Sequence, residues 1–374
     1  MKRVTRNPYR GVDWDTVLWC KANMHTHTLQ SDGAASPAEM IDAYHALNYD
    51  ILALTDHDHS SGGPSPGAQK VPTWPWTKFG RNPETLGMLA VGPSNEFSGI
   101  NHVNGYWVNM WSEEDLLTSN YNTYVTNMPW IINEIGVRGG KAQINHPGRY
   151  TRSEQFYLDL FDAYHGHLHE IEIYNQGNRY QADLQRWDDL LTLMRSQGSH
   201  YPINATSVDD AHNDDTHVGR NYVVYLLPFL TETALRRAIE RGAQFTVYDP
   251  QGTNSNRHLN GNNGFWTAAP MVERVDITNT HIELDVVRTD SIEWHTDEGT
   301  LVGTGETMPL NNENLGGYVR ATLRGADSSR THTQAFYLAE ASGLIVLRAG
   351  GVERVVTGTR QGGVAREIVD LRRL

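Results

Sequence analysis

Short apolar runs that lead into residues able to bind metal recur six times in the first 212 positions of this chain. The runs are residues 21–24, 51–54, 88–91, 141–144, 171–174 and 203–206. Helical patterns separate them, which is typical of βα units around a largely parallel sheet. Active sites of (β/α) barrels lie at the carboxyl ends of the strands. The order of apolar run and polar cluster therefore predicts such a barrel, with its site at that end.

Three segments between the runs carry helix signals. Residues 36–39 read Ser-Pro-Ala-Glu, a capping box with proline at the first helical position. Apolar stripes over 184–194 and 231–241 each stop before a glycine. These patterns predict helices whose stripes face the core. Residues 60–80 are rich in glycine and proline near their start and predict a long loop over the barrel mouth, either a substrate lid or an ordinary packed loop.

The pattern changes after about residue 255, where apolar residues alternate with period two. The alternation recurs at 275–286, 292–294, 318–322 and 335–337, which predicts a small antiparallel β-sandwich. We therefore expect two domains, a barrel over 1–255 and a β-sandwich-like domain with a tail over 256–374. The histidines of the second part are scattered singly and are expected to be structural: His258, His281, His295 and His332.

Histidine is concentrated in the first part, which holds 13 of the 17 in the chain. His25 and His27 are separated by one residue at the end of a predicted strand, so both imidazoles point to the same side and can reach one metal. The full candidate set is His25, His27, Asp32, His57, Glu96, His102, His146, Asp210 and His212. Nine nitrogen and oxygen ligands without sulfur suit two or three Zn, Mn or Fe ions. Cys20 is the only cysteine, which excludes an internal disulfide and a thiolate cluster.

The contexts of these residues, in order, are HTHTLQSDG, LTDHD, NEFSG with His102, NHPG and DDAH. Together they resemble the polymerase and histidinol phosphatase (PHP) family of metallohydrolases, over roughly residues 10–250. The C-terminal run over 318–327 is also similar to the CehA/McbA-type branch. The resemblance implies a distorted (β/α)7 barrel that holds up to three metals.

The resemblance also implies a division of the ligands among three metals. The first metal would be held by His25, His27, Glu96 and Asp210; the second by Glu96, His102 and His146, with Glu96 bridging; the third by Asp32, His57 and His212. Asp56, Asp58 and Asp209 flank these ligands, and either orient the imidazoles or are ordinary loop acids. His165, His167 and His169 have the spacing of a metal-binding strand, but they precede an apolar run instead of following one.

Clustered divalent metals point to hydrolysis, because two ions can share a hydroxide, lower its pKa and stabilise the attacking and leaving oxygens. No Ser-His-Asp elbow of the GxSxG kind and no candidate cysteine nucleophile accompany the metal ligands, so a metal-bridging hydroxide is the expected nucleophile. We predict a phosphoesterase acting on monoesters or diesters, with Glu96, Asp210 and Arg149 as catalytic residues. Arg149 would hold an anionic group of the substrate, unless it is a solvated surface arginine.

Two alternatives to phosphoester hydrolysis remain. A carboxylic or carbamate ester hydrolase of CehA/McbA type would need an apolar pocket, for which the candidate residues are Trp74, Trp76, Tyr106 and Trp107. A non-catalytic binding module built on a metal-stabilised scaffold is less favoured, since the ligand set is intact.

Charge and hydropathy bear on partners and location. A net charge of −13 disfavours a nucleic-acid or anionic-membrane surface as the main partner, so a small-molecule ester is the expected one. The start of the chain shows no apolar signal region, and no apolar stretch is long enough to span a bilayer. We expect a cytoplasmic protein, and the sequence leaves its oligomeric state open.

Overall fold

The computed structural model describes residues 1–58, 72–98, 101–108, 127–250 and 269–341, together with the backbone of three strands between 344 and 369. The α-helices of these residues are α1 (Pro37–Ala46), α2 (Pro83–Leu86), α3 (Met128–Val137), α4 (Glu154–Tyr164), α5 (Asp183–Ser196) and α6 (Glu232–Arg241). Short 3-10 helices cover Trp76–Phe79, Pro147–Arg149 and Asp297–Gly299.

The strands up to residue 250 are β1 (Lys2–Arg6), β2 (Leu18–Asn23), β3 (Ile51–Ala53), β4 (Leu89–Val91), β5 (Ser94–Ser98), β6 (His102–Tyr106), β7 (Lys141–Ile144), β8 (Leu168–Asn175), β9 (Asn204–Val208), β10 (Asn221–Leu227) and β11 (Gln244–Tyr248). The later strands are β12 (Met271–Ile277), β13 (His281–Val287), β14 (Ser291–Thr296), β15 (Thr300–Thr304), β16 (Thr307–Pro309), β17 (Tyr318–Arg324), β18 (Arg330–His332), β19 (Phe336–Glu340), β20 (Leu344–Ala349), β21 (Val352–Thr357) and β22 (Ile368–Val369).

The three predicted helices are confirmed as α1, α5 and α6. In α1 the Ser36 side chain accepts a hydrogen bond from the backbone N–H of Glu39, and the Glu39 carboxylate accepts one from the N–H of Ser36. These reciprocal bonds satisfy two backbone donors that the first helical turn would otherwise leave unpaired. Helix α6 ends at Gly242, whose φ of 75° is the left-handed conformation that glycine adopts without strain.

Strands of the first part lie in two mixed sheets. One sheet contains the order β11-β10-β2-β3-β4, and the other has the order β5-β6-β7-β8-β9. The pairs β2–β3, β3–β4, β7–β8 and β8–β9 are parallel, as the βα pattern predicts. The pairs β5–β6, β6–β7, β10–β11 and β2–β10 are antiparallel.

The mixed α/β architecture is confirmed, but the predicted distorted (β/α)7 barrel is not, because the two sheets do not form one closed sheet. The two sheets meet through single bridges, Thr26 with Ala211 and His57 with Glu96, and not through a continuous ladder. One reason is the short connection between β5 and β6, which is three residues long and returns the chain directly into an antiparallel neighbour, whereas a parallel pair needs a long crossover. Both bridges lie where β2, β3 and β9 have ended, so the carboxyl ends of these strands still converge.

Antiparallel strands after residue 269 confirm the period-two pattern. β12, β13 and β16 form a three-stranded sheet, while β14 pairs with β15 and β17, and β17 pairs with β18 and β19. β18 pairs with β11, and β1 pairs with β19, so hydrogen bonds join this part to the first sheet. Packing as a separate sandwich domain stays a prediction, because the expected boundary at 255/256 lies outside the described residues.

A buried ion pair links the later strands to helix α5. Arg320 on β17 donates from Nε to Asp188 Oδ1 at 2.7 Å, and both side chains are almost fully buried. Tyr318 OH donates to the same Oδ1 at 2.8 Å. These bonds offset the free-energy cost of moving the two charged groups out of water.

In the part of the chain that the structure describes, no helix is long and apolar enough to cross a membrane.

Candidate metal centre

All nine predicted ligand residues lie together, and six of them follow the carboxyl ends of strands. His25 and His27 follow β2, Asp32 lies before α1, His57 follows β3, Glu96 is on β5, His102 begins β6, His146 follows β7, and Asp210 and His212 follow β9. Loops and strand ends from both sheets therefore supply the cluster, which explains why residues far apart in sequence meet.

Glu96 lies at the centre of the cluster and is 1% exposed. Five imidazole nitrogens lie within 3.4 Å of its carboxylate oxygens: His25 Nε2 at 3.3 Å, His27 Nε2 at 3.4 Å, His57 Nδ1 at 2.9 Å, His102 Nδ1 at 2.8 Å and His146 Nε2 at 3.3 Å. A carboxylate with this many imidazole neighbours has the geometry of a group that could bridge ions.

Ligand atoms within the cluster form three groups whose members lie within 4.8 Å of one another. The groups are His25, His27 and Asp210; His57, Glu96 and His102; and His27, Asp32, His57 and His212. They overlap at His27 and His57, so the division of ligands that the family resemblance implies is one of several that the distances allow. Which residue binds which ion stays a prediction.

Asp210 carries the most direct sign that the cluster is built for a cation. Its Oδ1 atom is buried without a hydrogen-bond partner, 3.3 Å from His25 Nε2 and 3.1 Å from His27 Nε2. Leaving a buried acceptor unpaired is costly, and a bound metal would remove that cost. Imidazole nitrogens and carboxylate oxygens without sulfur are ligands that Zn, Mn and Fe accept, so the residues fit divalent transition metals.

Two of the predicted ligand residues have strained backbones. His146 has a φ of 26° and Asp210 a φ of 45°, a region that residues other than glycine rarely occupy. Neighbouring side chains hold both positions, since Glu172 Oε2 accepts from the N–H of His146 at 2.7 Å and Gln176 Nε2 donates to the carbonyl of Asp210 at 2.9 Å. Backbone strain of this kind clusters at functional sites.

Protonation at the cluster reflects the dense packing of acids and imidazoles. Burial opposes a charge on His25, but the carboxylates of Asp210, Glu96 and Glu172 raise its pKa well above the usual value. Burial likewise opposes a charge on His57, whose pKa Glu96 and Asp32 raise to about 10. Metals and protons compete for the same lone pairs, so metal binding would release these protons.

Glu172 is a supporting residue that the sequence analysis missed. Its Oε1 lies 2.8 Å from His25 Nδ1 and accepts from Gln143 Nε2 at 2.9 Å. It lies on β8, where Leu168, Glu170, Glu172 and Tyr174 share one face of a strand that is buried throughout. Acids at alternate positions of a buried strand were the available signal, because they require polar partners inside the fold.

The flanking acids accept hydrogen bonds from loop backbone. Asp56 accepts from the N–H of Thr28 at 2.7 Å, and Asp209 accepts from the N–H groups of Gly219 and Asn221, each at 2.8 Å. Asp58 accepts from the N–H of Ser98 at 3.2 Å. These bonds fix the loops that carry the ligand residues.

A cavity of about 320 Å³ opens over the cluster. Its lining comprises eight of the nine predicted residues, all but His25, and also Ser98, Arg149, Arg179 and Tyr180. Arg149 thus lies at the site, as predicted, and the backbone N–H of Gly148 beside it donates to the Asp183 carboxylate. Arg179 and Tyr180 were missed, although they follow the apolar run over 171–174 as the other site residues follow theirs.

The structure places several other predicted residues away from the cavity. Trp74, Trp76, Tyr106 and Trp107, proposed as an apolar pocket wall, are absent from its described lining. Trp76 is buried in the core, and Tyr106 OH donates to the carbonyl of Met24 at 3.0 Å. Residues 59–71 of the expected mouth loop lie outside the described residues. His169, on β8, lies 3.4 Å from Lys141 Nζ and outside the candidate groups.

Comparisons with known proteins give matches only among solved structures. No family model and no curated protein matches the sequence. A two-domain protein from Bacteroides vulgatus, described as containing a predicted PHP-like metal-dependent phosphoesterase, is 15% identical with a TM-score of 0.49, and the match covers 89% of this chain and 98% of that one.

An amidohydrolase from Chromobacterium violaceum, solved with bound sulfate and without metal, is 19% identical with a TM-score of 0.37. That match covers 59% of this chain and 96% of the other. The chain is thus similar to a protein of known structure that is described as PHP-like.

Proposed function

We propose that this chain is a metal-dependent hydrolase of phosphate esters that binds two or three divalent transition-metal ions around Glu96. One observation carries the proposal: a cavity of about 320 Å³ is lined by the ligand cluster and also by two arginines, Arg149 and Arg179. Metal ligands and guanidinium groups on one small cavity match the negative charge of a phosphoryl group. The volume suits a small-molecule substrate.

The ions would be held by the nine nitrogen- and oxygen-bearing side chains described above, eight of which fall in the groups whose ligand atoms lie within 4.8 Å of one another. The ninth, His146, lies 3.3 Å from Glu96 Oε1. Bound divalent metals would supply Lewis-acid polarisation of the phosphoryl oxygen and a lowered pKa for the attacking water. We propose Zn, Mn or Fe, because the ligand set contains imidazole and carboxylate but no thiolate.

The side chains of the protein have separate tasks in this reaction. Glu96 would set the distance between the ions held on either side of its carboxylate, and Glu172 would orient the His25 ring. Asp210 contributes a carboxylate whose Oδ1 has no hydrogen-bond partner. Arg149 lies on the cavity rim, where its guanidinium would hold a phosphoryl oxygen and stabilise the charge that develops as the ester bond breaks.

Hydrolysis of a neutral carboxylic or carbamate ester, as in the CehA/McbA type, is the rival reaction. It would need an apolar pocket for the substrate, whereas the described lining of the cavity consists almost entirely of polar and ionisable side chains. The two arginines have no partner on a neutral ester, which is why we favour the phosphate ester.

A metal-supplemented screen with chromogenic phosphomonoesters, phosphodiesters, carboxyl esters and carbamates tests the proposal. We expect phosphate esters to turn over fastest and inorganic phosphate to inhibit competitively. Arg149→Ala should lower kcat/KM for phosphate esters about tenfold or more and hardly change the rate with neutral esters. Arg237→Ala, an exposed arginine on α6, is the matched control. Faster turnover of neutral esters without phosphate inhibition would instead establish the rival reaction.

A further inference from the structure

We propose that the substrate carries a second anionic group, a phosphate or a carboxylate, which binds in an adjoining cavity at Arg220 and Arg179. The inference rests on the proposed function, since the first group is the phosphate ester at the metal cluster. It goes beyond that function because it specifies a substrate charged at both ends.

The adjoining cavity has a volume of about 440 Å³. Its lining residues are Gln176, Gly177, Asn178, Arg179, Gln181, Arg220, Tyr248 and Pro250. Arg179 lines both this cavity and the one over the cluster, so the two spaces share a wall. A substrate that extends past Arg179 would reach from one cavity into the other.

The charges of the adjoining cavity suit an anion. Arg179 and Arg220 are exposed, and its described lining contains no aspartate or glutamate. Among the ion pairs found between described residues, neither arginine takes part; Arg179 donates instead to Gln176 Oε1 at 2.5 Å. In a chain with a net charge of −13, two arginines that form no ion pair with a described carboxylate create a local positive field.

The backbone around these arginines is tied to the metal cluster. Asp209 Oδ1 accepts from the N–H of Arg220 at 3.0 Å, and Asp209 immediately precedes the predicted ligand Asp210. Gln176, which accepts from Arg179, donates to the carbonyl of Asp210 at 2.9 Å. Tyr248 stacks on the buried Tyr174 ring with centroids 5.0 Å apart, which gives the cavity a fixed aromatic side. The spacing between the two anion sites is therefore set by the fold.

Matched substrates would reveal the second site. We would compare phenyl phosphate with two analogues whose ring bears a flexible alkyl arm ending in a carboxylate or in a phosphonate. In the wild type, kcat/KM should be about tenfold higher for whichever charged analogue fits, mainly through a lower KM, and the advantage should shrink as salt rises. The better arm identifies the second group as carboxylate or phosphate.

Arg220→Gln should remove most of this advantage. The control variant Arg237→Gln, which changes an arginine on α6, should retain it. Hydrolysis of all three substrates at equal kcat/KM by the wild type would overturn the inference and leave the proposed function intact. Failure of every phosphate ester to react, with neutral esters hydrolysed, would overturn the proposed function instead.

Binding supplies a readout that does not depend on turnover. The metal-loaded protein would be titrated with an alkyl monophosphonate and with a bisphosphonate whose two groups are separated by a flexible chain. We expect the bisphosphonate to bind about tenfold tighter, and the difference to disappear in Arg220→Gln but not in Arg237→Gln. Equal affinities for the two compounds in the wild type would overturn the inference whatever reaction the protein catalyses.

Discussion

The Nδ1 atom of His25 lies 2.8 Å from Oε1 of Glu172, and both side chains are fully buried. With Nδ1 engaged, the Nε2 atom of the ring faces Asp210 and His27. An acidic partner on one ring nitrogen fixes the orientation of the imidazole and increases the basicity of the other nitrogen. Glu172 thus prepares His25 as a ligand without itself reaching the cavity.

Glu172→Gln should therefore weaken metal binding about 10- to 100-fold. The amide cannot replace both acceptor oxygens, one of which binds the N–H of His146 at 2.7 Å. Glu170→Gln is a matched control on the same face of β8, where Oε1 accepts from Tyr225 OH at 3.0 Å. Metal titration followed by calorimetry measures both variants, and equal affinities would contradict the role of Glu172.

Glu96→Ala should reduce turnover to the background rate, because the carboxylate contacts the imidazoles of several predicted groups. Elemental analysis should find two or three metal equivalents in the metal-replete wild type and fewer in the variant. Asp58→Ala, which removes an acceptor for the N–H of Ser98, should have a much milder effect. Similar, mild losses in both variants would show that the centre lies elsewhere.

Asp183 makes stability depend on pH. Burial raises its pKa to about 8, although the N–H of Gly148 opposes the shift, so the folded state retains a proton that the unfolded state loses near pH 4. The wild type should therefore lose stability as pH rises from about 4 to 8. Asp183→Asn has no such proton, so its stability relative to wild type should rise as pH rises over this interval. Urea unfolding at pH 5 and pH 8 would measure this, and a difference that does not change with pH would exclude it.

Removing one partner of the buried ion pair between Arg320 and Asp188 should strongly lower the free energy of unfolding. Arg320→Met leaves the Asp188 carboxylate buried without its cation, which costs about 3–5 kcal/mol of unfolding free energy. The double variant Arg320→Met with Asp188→Leu should recover much of that loss. Arg324→Met, at the more exposed pair with Glu293, should cost only about 0–1 kcal/mol. Urea denaturation of the four proteins tests the order.

Histidines of the later strands should be dispensable for activity. His281 hydrogen-bonds with Thr280 at 2.9 Å, and His295 with the carbonyl of Gly299 at 3.0 Å, and neither is in a candidate metal group. His281→Ala and His295→Ala should fold and retain the rate of the wild type. Loss of turnover in a folded variant would place a catalytic group in this part.

Local signals in the sequence identified much of the site. Helix α1 follows from its capping box, and most of the nine predicted ligand residues follow from apolar runs that lead into histidine or acid, because both patterns depend on neighbouring positions only. Arg149 was found in the same way, three residues after His146. These features need no knowledge of which strands pair.

Features that depend on distant contacts were not found. Glu172 lies inside an apolar run, and its role requires the His25 ring from another sheet. Arg179 and Tyr180 follow β8 in a loop without a histidine to mark it. The antiparallel pairing of β5 with β6, and of β18 with β11, is set by tertiary packing, which period-two alternation does not encode.

Pairing of β1 with β19 has a consequence for the synthesis of this protein. Residues 2–6 are made some 330 residues before their partners at 337–340. During translation β1 must stay unpaired while the intervening residues are added, and long-range pairing of this kind slows folding. A nascent chain that carries β1 without β19 exposes an open strand edge that chaperones would need to protect.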